Sequence, residues 1–226
     1  MAIETLTQQL RAAPWAQGLT EEQMRRVEAE VTEQTFCAGA TVCQEGSMVD
    51  SWTGVLDGLV KLCTVFPDGR SVTFTEVPTG GWFGEGSLLK AERRKYGAIA
   101  LRESRIARMP KATFDWLLDN SIGFNRFVLL QINERLGQFI ALVGFGRLHD
   151  TDARIARCLG ALFNPILYPG AGPRVLISQE EIGHLTGVSR QRVNRALQSL
   201  ETAGLLKVEY GGITVLDVDA LCNYGF

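Results

Sequence analysis

The stretch Ile177–Leu206, ISQEEIGHLTGVSRQRVNRALQSLETAGLL, restricts what this chain can fold into more than any other. Ser178 followed three residues later by Glu181 is a capping box, in which each side chain satisfies a backbone N–H left free by the first helical turn. Ile182 and Leu185 give that helix an apolar face. Gly187 ends it, because Gly accepts the left-handed backbone of a tight corner. Val188 fills the corner, and Ser189 caps a second helix. There Val193, Ala196, Leu197 and Leu200 recur at helical spacing on one side. Gln191, Asn194, Arg195 and Gln198 lie on the other, with Arg190 at the N-terminal edge. Arg can bond bidentately to guanine in a major groove, and Asn or Gln to adenine. The pattern predicts a DNA-binding helix-turn-helix that reads DNA through Ser178, Ser189, Arg190, Gln191, Arg192, Asn194 and Arg195.

A cationic face alone would equally describe a solvated surface helix. The order of elements separates the two readings. Gly183 and Gly187 suit a close helix crossing, and Leu205–Tyr210, a Gly211-Gly212 turn and Ile213–Leu216 read as a two-stranded wing. Bulk charge is no guide, since the net charge is −2. The cationic focus is local: Arg190, Arg192 and Arg195 fall within six residues.

Composition is that of a soluble globular chain, with 46% hydrophobic and 21% charged residues over 226 positions. MAIETLTQQLRAAPW lacks the apolar core of a signal peptide, and no apolar run is long enough for a bilayer. A cytoplasmic protein without membrane association is expected. Cys37, Cys43, Cys63, Cys158 and Cys222 are scattered, without CxxC, which argues against a metal cluster and suits a reducing compartment. Cys63 alternates with apolar neighbours and reads as a core residue. Cys37 and Cys43 flank a turn where redox sensing stays open. No nucleophile elbow, HExxH or Walker loop occurs, so no enzyme and no catalytic residue is expected.

Taken in order, residues 1–35 read as helical, with a second capping box at Thr20 and Gln23. From Phe36 to Met109, short apolar alternations separated by turns such as Asp57-Gly58 and Asp68-Gly69 predict an antiparallel β-roll or jelly roll. Lys111–Asp119 is a short helix. A long one runs from Ser121 to about Arg147, where Leu129, Ile132, Leu136, Phe139 and Val143 form a coiled-coil seam. Phe124, Phe127, Val128 and Leu142 widen its apolar surface. That seam predicts a homodimer, matching a two-fold-symmetric DNA site. Gly144, Gly146 and His149-Asp150 read as a hinge, followed by an amphipathic helix at Thr151–Phe163. The fold class is α+β. Residues 1–110 form a β-roll effector domain with N-terminal helices, 111–148 a dimerisation helix and hinge, and 149–226 a winged helix-turn-helix.

The β-roll pattern, the WFGEGSLL loop, and DARIARCL through the helix-turn-helix together resemble the CRP/FNR family of bacterial transcription regulators. The resemblance covers nearly the whole chain. It implies a cyclic-nucleotide-binding-like domain, a dimer helix and a winged helix re-oriented by an effector. An activator of this type also touches RNA polymerase. Base-reading positions carry over to Arg190, Gln191 and Arg195. The cyclic-AMP receptor has Glu at the middle position, so Gln191 implies an altered inner base in a TGT…ACA-type site.

Gly80–Ser87 resembles the family's phosphate-binding cassette, whose glycines let backbone N–H groups approach an anion. The implied effector pocket comprises Gly84, Glu85, Gly86, Ser87, Lys95, Tyr96, Phe139 and Ile140. Glu85 stands where the family's Glu accepts a ribose hydroxyl. Lys95-Tyr96 replaces an Arg-Ser pair in an ungapped reading, and Lys lacks the bidentate fork. Arg93 or Arg94 could serve only with the loop re-registered. Phe139-Ile140 replaces a base-contacting Thr-Ser pair. These departures point to an effector other than cyclic AMP, aromatic or acidic, or to no ligand at all, with a divergent cyclic-AMP pocket as the alternative. Redox response through Cys37, Cys43, Cys63 or haem is a further alternative. His149 and His184 both lie outside the β-roll, which disfavours histidine-ligated haem.

Overall fold

The structure is a computed structural model that describes residues 4–68, 70–146 and 150–225. Gly69 of the expected Asp68-Gly69 turn and hinge positions 147–149, including His149, lie outside the described residues.

Helices α1 (Leu6–Ala12) and α2 (Glu21–Glu30) open the chain, each started by a capping box, Thr5 with Gln8 and Thr20 with Gln23. The β-roll follows as β1 (Thr32–Phe36), β2 (Thr41–Cys43), β3 (Ser51–Asp57), β4 (Leu59–Val65), β5 (Ser71–Pro78), β6 (Trp82–Phe83), β7 (Gly97–Ala100) and β8 (Ser104–Pro110). One sheet has the order β1-β8-β3-β6 and the other β2-β7-β4-β5. Gly58 joins β3 to β4 at φ 107°, where a Cβ would fall 2.2 Å from Ser104 Oγ, so only glycine fits this corner. Inside the roll Val55, Val60, Leu62, Val77, Phe83, Ala98, Ala100 and Ile106 form one buried cluster.

A second cluster joins the roll to the helices. Trp15, Trp52, Trp82, Phe114 and Phe124 meet mostly edge to face, with ring centroids 4.5–6.1 Å apart. Such geometry favours aromatic quadrupoles beyond simple burial. It anchors α4 (Lys111–Asn120) and the start of α5 (Ile122–Phe145) against β3 and β6.

The anchoring fixes which face of α5 looks outward. Ile132 packs on the aromatic cluster, and Phe139 borders a crevice with Thr73 and Phe74. Both therefore turn towards their own chain. Ile122, Leu129, Leu136, Ile140 and Val143 are 58–72% exposed. The outward seam is thus rotated from the expected one, with Ile140 replacing Ile132 and Phe139. Its repeat is heptad: Ile122, Leu129, Leu136 and Val143 at one position, and exposed Arg126, Asn133 and Ile140 at the other.

Asp150 caps α6 (Thr151–Gly160), accepting from the Asp152 and Ala153 amides. The expected helix to Phe163 ends in a 3-10 turn, Ala161–Phe163. Helices α7 (Gln179–Thr186) and α8 (Arg190–Thr202) form the helix-turn-helix, with Gly187 left-handed at φ 69°. Gly183 is required at their crossing, since a Cβ would sit 2.8 Å from the Val188 carbonyl oxygen. The wing is β10 (Leu206–Glu209) and β11 (Gly212–Val215), turning at Tyr210-Gly211 rather than Gly211-Gly212. The sequence pattern missed β9 (Arg174–Val175), which adds a third strand beside β11. Helix α9 (Val218–Cys222) closes against α6.

Strand β5 packs on α7, which brings the roll against the helix-turn-helix. At this contact Glu76 is fully buried and Arg102 pairs with Glu181 at 3.4 Å. Burial first, then the Glu181 carboxylate, pushes Glu76 up to about 8, against the opposing pull of Arg102 and Lys61. A carboxyl raised in the folded state adds stability that is complete below its unfolded value and lost as pH rises through its folded value. The melting temperature should therefore fall between about pH 4.5 and 8. Glu76→Gln should flatten that decline in thermal melts across this range.

Candidate DNA interface and effector cavity

Ser178 and Ser189 sit at the two helix starts, accepting hydrogen bonds from the Glu181 and Arg192 amides. Their hydroxyls leave exposed N-terminal turns, positions suited to a phosphate group. Along α8 the apolar face is buried, while Arg190, Gln191, Asn194, Arg195 and Gln198 are exposed on one side. Asn194 Oδ1 accepts from Gln179 Nε2 at 3.1 Å. Gln179 thereby joins this face, although the sequence reading passed it over. Its signal was its place directly after the Ser178 cap. The wing carries a fully exposed Tyr210 at its tip.

Arg192 does not share that face. Its Nη2 lies 2.8 Å from Asp152 Oδ1 on α6, and the side chain is only partly exposed. Helical spacing turns position 192 towards α6, so this arginine ties the two helices together. His184 is exposed, with Nε2 3.8 Å from Glu180.

The effector cassette is built by β6, the short helix α3 (Glu85–Leu89) and α5. Gly84 is left-handed at φ 95° and turns the chain from β6 into α3. Glu85 is buried, and its Oε1 accepts from Arg135 Nε at 2.8 Å. Arg135 Nη2 and Gln131 Nε2 both donate to the Trp82 carbonyl, at 2.7 and 2.9 Å. Burial opposes the charge on Arg135, but attraction to the Glu85 carboxylate outweighs it and raises its pKa. Glu85 Oε2 and Arg135 Nη1 are buried and have no hydrogen-bond partner among the described residues. The sequence signalled Glu85 but gave no reason to select Arg135, which lies fifty residues away on α5.

Lys95 is exposed and pairs with Glu92 at 3.5 Å. Arg94 takes the inward place: it is 6% exposed, and its Nη1 would lie 3.1 Å from a Cβ on Gly84. Its side chain donates to the Ser51 carbonyl at 3.4 Å. The loop is therefore re-registered by one residue relative to the ungapped reading. Tyr96 stands beside this group, its phenol pushed up to about 12 by burial and by the Glu85 carboxylate, so it remains a donor at neutral pH. Gly86 and Ser87 lie in α3, and Ser87 Oγ donates to Glu92. Phe139 and Ile140 stay outside the cassette, at the β5 crevice and the outer face of α5.

Two domain families match this chain: the cyclic nucleotide-binding domain over residues 33–121 and the Crp-like helix-turn-helix domain over 153–224. The chain belongs to the CRP/FNR family of transcription regulators. Transcriptional regulator LdrP of Thermus thermophilus is 29% identical over 188 residues, covering 82% of this chain and 93% of its own. The CRP-like cAMP-activated global transcriptional regulator of Mycobacterium tuberculosis is 26% identical over 216 residues, covering 92% and 94%. FixK2 from Bradyrhizobium japonicum shares the fold, with a TM-score of 0.70 at 18% identity over 85% of this chain and 96% of its own. The protein is a DNA-binding transcription regulator with a cyclic-nucleotide-binding-like domain, and its relatives are regulators rather than enzymes. No helix among the described residues is long and apolar enough to cross a membrane.

Cys37 is exposed, and Cys43 and Cys63 are buried. Burial pushes the Cys63 thiol up, which disfavours the reactive thiolate.

Removing one partner of a buried ion pair strands the other charge, at a cost of about 3–5 kcal/mol. Arg135→Met should destabilise the protein by that amount in urea denaturation. Combining it with Glu85→Leu should recover most of the loss, because the isolated buried carboxylate is then gone.

Proposed function

We propose that this CRP/FNR regulator binds a two-fold-symmetric DNA site as a homodimer and responds to a small anionic effector held in the β-roll. The observation that carries the reading is the exposed α8 face of Arg190, Gln191, Asn194 and Arg195, set beside a long helix with an uncovered apolar heptad seam. Base edges are read by side chains that leave the helix from such a face. Ser178, Ser189 and Gln179 serve the flanking phosphates, and Arg192 holds the reading helix in place.

The seam on α5 suits a second copy of the same chain. Leu129, Leu136, Ile140 and Val143 supply the apolar contact, and Asn133 stands at a heptad core position, where a polar residue selects register at some cost in stability. Leu136→Asp should shift the protein from dimer to monomer in sedimentation equilibrium. An unchanged dimer would place the interface elsewhere.

Gln191→Glu should move the inner-base preference from adenine towards cytosine in a selection from randomised DNA. Arg190→Ala should cost about 1–3 kcal/mol of specific binding. Arg192→Ala should leave base preference unchanged and lower stability by about 1 kcal/mol or less, as expected for a partly exposed pair.

For the effector, Arg94 supplies the cationic grip in place of Lys95, and the unpartnered Glu85 Oε2 accepts from a ligand donor. Phe139 and Ile140 lie outside the cassette and bring no polar group to it for a base. This combination favours an aromatic or acidic small molecule over cyclic AMP. A thermal-shift screen of cyclic AMP, cyclic GMP and aromatic acids tests it, because a ligand that binds the native state raises its stability. Arg94→Ala should abolish the shift and Lys95→Ala should leave it. A strong shift with cyclic AMP alone would overturn the preference.

A further inference from the structure

The loop between the 3-10 turn and β9 belongs in sequence to the winged helix, yet two of its side chains lie in the β-roll. Leu167 and Tyr168 are each 1% exposed and pack within the cluster of Val55, Val60, Leu62 and Phe83. Their neighbours Pro165, Pro169 and Gly170 are exposed. The loop thus lies on the surface and drives two side chains inward. It is also pre-shaped: Asn164 Oδ1 accepts from the Ile166 and Leu167 amides at 2.9 Å, and Asn164 Nδ2 donates to Glu134 on α5 at 2.9 Å.

Tyr168 reaches the effector cassette. A Cβ on Gly81 would lie 3.0 Å from its ring carbon Cδ1. Its hydroxyl meets Gln138 of α5, with both the amide nitrogen and the amide oxygen at 3.1 Å. Gln138 is buried and stands one helical turn after Arg135, the residue that grips Glu85. A phenol ring supplied by the other domain therefore meets Gln138 one turn along α5 from Arg135, beside Gly81 of the cassette. Crevices of about 210 and 380 Å³ flank Gly170, which itself packs closely on the Thr79-Gly80 backbone.

We infer that Tyr168 is a tethered occupant of the effector cavity, and that an aromatic anion with a hydrogen-bonding ring edge competes with it for Gln138, freeing the winged helix from the roll. This rests on the effector reading above. Gln138 presents a donor and an acceptor together, so it can exchange the tyrosine hydroxyl for the polar edge of a ligand. With the tether in place only the fraction of molecules with Tyr168 withdrawn can bind, and apparent affinity falls by that fraction. Release then separates β5 from α7, because the loop is one of the contacts holding them together. The ligand is coupled to domain position through a shift between two states.

The test uses the full chain and two readouts. Hydrogen exchange is followed at β5 and α7, and calorimetry measures binding of 4-hydroxyphenylacetate and cyclic AMP, both aromatic anions with a polar ring edge. Tyr168→Ala should speed exchange at β5 and α7 at least tenfold while the aromatic cluster around Trp52 stays protected. It should also tighten binding of at least one probe tenfold or more, and adding Gln138→Leu should remove that gain. Tyr168→Phe keeps the ring and loses only the Gln138 hydrogen bond. It should move both readouts the same way by about fivefold, and it decides the matter if Tyr168→Ala unfolds. Unchanged exchange in a folded variant, or uniform loss of protection with Tyr168→Phe, overturns the tether. Faster exchange with no gain for either probe overturns the effector reading and leaves Tyr168 as a domain latch alone.

Discussion

The buried pair of Glu85 and Arg135 is the interaction on which the arrangement of this regulator depends. It joins the turn after β6 to the middle of the long helix at 2.8 Å. Two further donors from α5 converge on the Trp82 carbonyl. Together they set the rotation of α5, and that rotation decides which side chains face the roll and which face outward. Buried charges are expensive to keep unless paired and hydrogen-bonded. This pair leaves one acceptor and one donor unmatched, Glu85 Oε2 and Arg135 Nη1, which is the opening the proposed effector would use.

From that fixed helix the coupling between domains can be followed residue by residue. Gln138 follows Arg135 by one turn and meets Tyr168. Glu134 precedes it and meets Asn164. At Gly80 and Gly170 the backbones approach so closely that a Cβ on Gly80 would lie 2.6 Å from the Gly170 nitrogen. On the far side Glu76, Arg102 and Glu181 bring a buried carboxyl to the start of the helix-turn-helix. The cassette, the long helix α5 and the helix-turn-helix domain are thus joined by packed and hydrogen-bonded groups.

Much of this was legible beforehand because it is local. Caps at Thr20 and Ser178, the left-handed corner at Gly187 and the alternating strands all depend on residues within a few positions of one another. Arg192, Ile132 and Phe139 were read from helical spacing, and each turned out to face differently; Lys95 came from an ungapped match to the family's cassette. A helical wheel gives relative angles but not the absolute rotation of the helix against its neighbours. The one-residue shift that brings Arg94 rather than Lys95 inward belongs to a loop, where no period constrains the register.

The amino-acid sequence by itself determined the elements, their order and the family, because caps, glycine corners and apolar periods act over short distances. It also determined the chemistry offered on α8, since exposed Arg, Gln and Asn at helical spacing need only one helix to define them. Tertiary structure alone decided which groups met across the chain: Glu85 with Arg135, Glu76 with the helix-turn-helix, Trp15 with Trp52 and Trp82, and Tyr168 with Gln138. Those pairings join residues far apart in sequence. They exist only once the chain has folded and burial has removed the water that would otherwise solvate these groups.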